Sequence, residues 1–144
     1  MAAGQRVLAV DLFNFGESKI AGEQDNSPFA LLVAAVGERP LGLQASQLNA
    51  VALWSRTHRA AESLGVVAVG PRSSLIALVA GGLDRDSISR LEFHRPLGSL
   101  KEVIEKNWTM EQKPELFCFG LLEAFDLKQL EALAAPRTIV KKSN

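Results

Sequence analysis

The residues of this chain that are best placed for chemistry lie in one short turn, Gly70-Pro71-Arg72-Ser73-Ser74. An apolar run bounded by glycines precedes the turn, and an apolar run of helix length follows it. This order predicts a strand buried on both faces, a sharp turn and a helix. Free N–H groups at the start of a helix favour an anion or a reactive side chain. We therefore expect any chemistry to be located at this turn, at the carboxyl end of a parallel strand.

The turn has the spacing of a nucleophile elbow, in which small residues flank a nucleophile at the third position. Arg72 occupies that position here. A guanidinium stays protonated at biological pH and cannot attack a carbonyl carbon. Shifting the frame by one residue makes Ser73 the nucleophile, but Pro71 and Leu75 then stand at the small positions. The simpler interpretation of Ser73 or Ser74 is a helix N-cap.

Two histidines and one aspartate are the other candidates for catalysis. His94 is predicted at the carboxyl end of a strand, where ligands bind to parallel sheets, and a structural hydrogen bond is its alternative role. His58 falls on the polar face of a predicted helix, which indicates a solvated side chain. Asp11 ends an apolar run, and hydrogen bonding to loop amides is the favoured interpretation of its carboxylate.

The composition indicates a soluble globular domain that spans residues 1–144. The 16 basic residues balance the 16 acidic ones and form no basic run, so no nucleic-acid partner is expected. The single cysteine, Cys118, excludes an internal disulfide and a multi-cysteine metal site, and we predict no metal and no cofactor. No apolar segment is long enough for a bilayer and the N-terminus lacks a signal-peptide pattern, so we expect no membrane contact and a cytoplasmic location.

The remaining segments alternate between predicted strands and helices, which indicates an α/β three-layer sandwich with a short, mostly parallel sheet. Apolar runs predict strands over Arg6–Asp11, within Ser87–His94 and from Arg137. Periodic apolar faces and capping residues predict helices from Pro28, from Leu41, up to Gly81-Gly82, from Ser99 and after Asp126. Ala21–Ser27 is predicted as an exposed loop, and the run LFCFGLLEAF suits a strand and a short helix equally.

Three stretches resemble the α/β-hydrolase fold, in the branch of dienelactone-hydrolase-like and acetyl-xylan-esterase-like proteins. VLAVDLFNFGES resembles the family's fourth strand and exit loop, VVAVGPRSSLIALVAG the fifth strand, elbow and helix, and FDLKQLEALAAPRTIV the segment that leads into the seventh strand. The likeness runs from Gln5 to Val140. It implies a partial α/β-hydrolase core, a truncated slice of the family fold.

The residues that this resemblance would assign to catalysis are not all present. Arg72 stands at the elbow, the chain stops within the seventh strand, and the family's earlier strands are missing. His94 and Asp126 lie upstream of the family's triad positions, so neither inherits a catalytic role from the resemblance. The sequence therefore predicts a hydrolase-like domain that is non-catalytic by itself and has a structural or association role. Open sheet edges would pair with another copy or with a partner chain.

Two alternatives remain open at this point. The first is a carboxyl-ester hydrolase with Ser73 as nucleophile and His94 as a candidate base, in which the amide of Ser74 is the oxyanion donor that the motif suggests. The second is an anion-binding module, in which Arg72, Ser73 and Ser74 hold a carboxylate or a phosphate at the helix start.

Overall fold

The computed structural model describes residues 6–19, 27–59, 62–84 and 86–142. In this part of the chain, three parallel strands form one sheet in the order β1 (Gly65–Val69), β2 (Arg90–His94) and β3 (Thr138–Lys142). The helices are α1 (Ser27–Ala35), α2 (Pro40–Arg59), α3 (Pro71–Leu83), α4 (Glu102–Glu105), α5 (Leu121–Ala124) and α6 (Leu127–Ala134), with 3-10 turns at Gly16–Ser18 and Pro114–Leu116. The predicted α/β fold with a parallel sheet is confirmed.

Helix α3 is the centre of the core. Its sequence is apolar or small on nearly every side, and such a helix is stable only when other elements surround it. The helix contacts β1 and β2 as well as α2 and α6. A Cβ atom on Gly81 would lie 2.9 Å from Leu91 Cδ1, so glycine permits the close approach of α3 to the sheet. The helix continues to Leu83, beyond the predicted stop at Gly81-Gly82.

The two faces of the sheet have different surroundings. Leu91 and Phe93 of β2 point toward α3 and are 0% and 2% exposed. Val67 and Val69 of β1 point to the opposite face and are 64% and 54% exposed. The prediction that β1 is buried on both faces is therefore wrong, because no described residue covers its outer face. A third layer on that face stays a prediction.

The segment Arg6–Asp11 is not the buried strand that its composition predicts. It is exposed, with Val7 72% and Leu8 59% accessible, and it pairs with no strand among the described residues. Its last residue fixes the following loop, since Asp11 Oδ2 accepts a hydrogen bond of 3.1 Å from the Glu17 amide. The loop-fixing role predicted for Asp11 is thus confirmed, whereas the predicted strand does not form, since the segment pairs with neither edge of the described sheet.

Most other elements follow the sequence patterns, but the helix predicted from Ser99 begins only at Glu102 and ends at Glu105, because Lys101 and not Ser99 is its N-cap. The helix predicted from Leu41 begins at Pro40, and the strands within Ser87–His94 and from Arg137 are β2 and β3. The ambiguous run LFCFGLLEAF forms loops and the short helix α5. The loop predicted over Ala21–Ser27 lies, except for its last residue, outside the described residues. Within the described ranges, no helix is long and apolar enough to cross a bilayer.

Asp126 joins the start of α6 to the loop before α4. Its carboxylate caps α6 by accepting from the Leu127 amide at 2.8 Å, and the Gln129 side chain accepts from the Asp126 amide at 3.0 Å. The same carboxylate accepts from Ser99 Oγ and from the Leu100 amide, each at 2.7 Å. Burial raises the pKa of Asp126, but these hydrogen bonds together hold the pKa below its ordinary value.

Replacing this carboxylate is expected to destabilise the fold in a pH-dependent way. Asp126→Ala removes a helix cap and leaves the Leu100 amide without its acceptor, so the free energy of unfolding at pH 7 should fall by about 1–3 kcal/mol. Because the folded-state pKa is lowered, this contribution is present above about pH 4 and is lost as the pH falls through the folded-state value. Urea denaturation at pH 7 and pH 3 measures both effects.

The exposed neighbour Lys128 provides the control for this experiment. Lys128→Ala should change the free energy of unfolding by less than about 0.5 kcal/mol at either pH. An equal loss in the Asp126→Ala variant at pH 7 and pH 3 would contradict the proposed linkage between stability and ionisation.

Candidate functional site

The turn between β1 and α3 is sharp, and Gly70 is its apex. Gly70 has a φ of 88°, and its N–H donates a hydrogen bond of 2.8 Å to the His94 carbonyl, which ties the ends of β1 and β2 together. Helix α3 begins at Pro71, so Arg72 already lies within the helix. A nucleophile elbow carries its nucleophile on the strained residue of the turn. Here the strained residue is a glycine and has no side chain.

The two serines of the turn do not cap α3 as predicted. Gly70 is the N-cap residue, and proline at the next position starts the helix before Ser73 and Ser74 are reached. Ser74 is 3% exposed, and its Oγ has no hydrogen-bond partner among the described residues. The Ser73 side chain is half-buried on the first turn of the helix. Both hydroxyls therefore belong to the helix interior rather than to its cap.

Arg72 forms a buried ion pair with Glu115. Arg72 Nε donates to Glu115 Oε2 at 2.7 Å and Arg72 Nη2 donates to Glu115 Oε1 at 2.6 Å, while the Glu115 side chain is 0% exposed. The Arg72 guanidinium carbon also lies 4.2 Å from the centre of the Phe15 ring, within the range of a cation–π interaction. The residue predicted to bind an anion thus binds a carboxylate of its own chain.

Gln44 connects this ion pair to the N-terminal loop. Its Nε2 donates at 2.9 Å to Glu115 Oε1 and at 2.9 Å to the Phe13 carbonyl. One turn further along α2, Gln47 Oε1 accepts from the Phe13 amide at 2.8 Å. The sequence places Gln44 on the polar half of α2, but the side chain is fully buried. This prediction is wrong because a buried carboxylate provides a partner for the amide.

The local sequence pattern does not predict the burial of Glu115. It lies in the 3-10 turn Pro114–Leu116, directly before an apolar run. An acidic residue between proline and a long apolar run is a weak signal of burial, because nothing nearby in the sequence supplies the required cation. The partner, Arg72, lies 43 positions away.

His94 lies on the open face of the sheet, away from Ser73. Side chains alternate along β2, and Phe93 points toward α3, so the neighbouring His94 points to the other face. Its Nε2 is 2.9 Å from Glu92 Oε1. The predicted alternative of a structural hydrogen bond is confirmed, and the histidine is not brought together with the serine.

Glu92 is the centre of a charged cluster on this open face. Lys142 donates to Glu92 Oε1, and Arg90 donates to Glu92 Oε2 at 3.0 Å. The hydrogen bond from Lys142, followed by that from His94, lowers the pKa of Glu92 to about 2. The carboxylate is therefore ionised at neutral pH, and it is contacted by Lys142 from β3 and by Arg90 and His94 from its own strand.

The cavity nearest to the turn is too small for a substrate. It lies between the start of α3, strand β2 and helix α6. Its lining is mainly apolar, together with Ser74, Glu131 and Lys141. Its free space is about that of one water molecule. Neither Ser73 nor His94 lines it. Among the described residues, no three His, Cys, Asp or Glu side chains come together in a way that could hold a metal ion.

Comparisons with protein-family models, with curated proteins and with solved structures give no match to this chain. The resemblance to α/β-hydrolases therefore stays a prediction. Function has to be argued from the contacts of the turn, the ion pair and the open sheet face.

The ion pair gives a sharp stability prediction. Glu115→Ala leaves the Arg72 guanidinium partly buried without its carboxylate and removes an acceptor of Gln44, so the free energy of unfolding should fall by about 3–5 kcal/mol. The double variant Arg72→Met/Glu115→Leu removes both charges and should be within about 1 kcal/mol of wild type. Urea denaturation at pH 7 measures each variant.

The exposed residue Glu123 on α5 is the matched control for the loss of a carboxylate. Glu123→Ala should change stability by less than about 0.5 kcal/mol. A loss below about 1 kcal/mol in Glu115→Ala, or a double variant as unstable as the single one, would contradict the description of the pair as buried and tightly coupled.

Proposed function

We propose that this chain is a non-catalytic α/β-hydrolase-like domain with a structural or association role. The observation that carries the proposal is the apex of the turn, where Gly70 takes the strained position and provides no nucleophile. Acyl transfer requires a nucleophile within hydrogen-bond reach of a base. The sheet separates the two candidates for those roles, because Ser73 belongs to α3 and His94 points to the opposite face.

The ion pair supports the same proposal. Both oxygens of Glu115 are occupied by Arg72, so the guanidinium that faces the turn already has a tightly bound anion. An external carboxylate or phosphate would have to displace a fully buried carboxylate, which would then lack a cation. Such a displacement costs several kcal/mol, so anion capture at Arg72 is disfavoured by the geometry.

The open face of the sheet supports the association role. Sheets made only of parallel strands occur almost always with both faces covered. Here α3 packs on one face, while Val67 and Val69 are more than half exposed on the other. A domain of this kind gains stability when a second surface covers or extends the sheet.

The proposal predicts that the purified chain does not hydrolyse esters. The rate of p-nitrophenyl acetate hydrolysis, followed by nitrophenolate absorbance, should equal that of an equal mass of the double variant Arg72→Met/Glu115→Leu. The Ser73→Ala and His94→Ala variants should show the same rate, because the sheet separates Ser73 from His94 and neither can transfer a proton to the other.

Two results would support the alternatives instead. Hydrolysis well above the background that disappears in Ser73→Ala would favour an esterase with Ser73 as nucleophile. Phosphate that raises the melting temperature of wild type but not of Arg72→Met/Glu115→Leu would favour an anion-binding module.

A further inference from the structure

The outer edge of β1 is the surface that the observations favour for association. The strand order places β2 on one side of β1, and no described residue pairs with the other side. An edge strand presents unpaired N–H and C=O groups in a row, and these groups can bind a further strand. A free edge of this kind is a template for a defined contact.

The two edges of the sheet differ in the features that prevent pairing. Proteins protect exposed edges with charged side chains, lysine in particular, and with proline. The β3 edge carries Lys141 and Lys142, whereas β1 has the sequence GVVAV, without charge or proline. Val67 and Val69 are also 64% and 54% exposed beside this unprotected edge. The β1 edge therefore has the composition of a pairing strand.

We propose that β1 pairs antiparallel with β1 of a second copy of this chain, centred on Val67, to give a continuous six-stranded sheet. The inference rests on the proposed association role and names its partner. Antiparallel pairing about a two-fold axis places Val67 opposite Val67 and Val69 opposite Gly65. The small Gly65 thus lies opposite a larger side chain, and the exposed valines of both copies become neighbours.

The charges on the open face are compatible with this pairing. Glu92 lies next to Val67 in the register of β1 and β2, so the two Glu92 side chains of the pair would be three strand spacings apart. That distance is about 14 Å and exceeds the Debye length of about 8 Å at physiological ionic strength. In the same pairing, Arg90 of one copy would lie across from His94 of the other, again three strand spacings apart. Among the side chains of β1 and β2, this pairing therefore brings no like charges directly opposite each other, which would destabilise it.

Light scattering on the full chain over a concentration series tests the proposal. Wild type is expected to approach twice the monomer mass as concentration rises. Val67→Lys places a charge at the centre of the pairing edge and should give a monomer at every concentration. Val140→Lys is the matched control, because Val140 lies on the same face and in register with Glu92, but on β3. This control variant should dimerise like wild type.

A cross-linking experiment tests the register and does not depend on the folding of the lysine variant. In a Cys118→Ser background, Val67→Cys puts two thiols directly opposite each other, at a Cα separation of about 4.5–5.5 Å that a disulfide can span. Mild oxidation should convert this variant to a covalent dimer on a non-reducing gel. Val140→Cys in the same background should run as a monomer on the same non-reducing gel.

Two outcomes would overturn the pairing without deciding the question of catalysis. A wild-type chain that stays monomeric excludes it. A dimer that persists in Val67→Lys, with no cross-link from Val67→Cys, assigns the contact to another surface, such as the exposed segment 6–10, and leaves the association role intact. Ester hydrolysis lost in Ser73→Ala would instead overturn the proposed function while leaving the edge contact untouched.

Discussion

A central constraint on this structure is that neither Arg72 nor Glu115 tolerates the loss of the other. Removing two charges from water costs free energy, and only good geometry with additional hydrogen bonds offsets that cost. The bidentate contact, the Gln44 amide and the Phe15 ring together meet this requirement. Because these groups come from α2, α3, the N-terminal loop and the Pro114–Leu116 turn, the pair fixes four separate segments relative to one another.

The strand-turn-helix unit has a promising shape but presents no side chain at its apex. A turn of this kind can expose a reactive side chain at its apex, but here the apex is Gly70 and the helix begins immediately afterwards. The guanidinium that follows is directed to an internal carboxylate instead of to solvent. His94 is held by Glu92 on the far side of the sheet. The polar side chains near the turn therefore make internal contacts that support packing.

The sheet contributes a second constraint, because it is covered on one face only in the described part of the chain. Its inner face packs on α3, with Gly81 allowing the helix to approach Leu91. On the outer face, an ionic row around Glu92 lies beside an apolar row on β1. A parallel sheet with such a face is unusual for an isolated domain. This asymmetry, together with the unprotected edge, is the physical basis for the proposed association role.

The sequence by itself determined the elements whose signals are local. The apolar run of α3, the cap at Asp126 and the alternation of Leu91 and Phe93 each depend on residues within a few positions, and each is found in the structure. Tertiary structure alone decided the rest. Whether Arg6–Asp11 is a strand depends on a neighbouring strand, and the burial of Glu115 depends on a cation 43 positions away. Pairing between distant segments leaves no trace in a local pattern, because burial of a charge is stable only when its partner arrives in the folded chain.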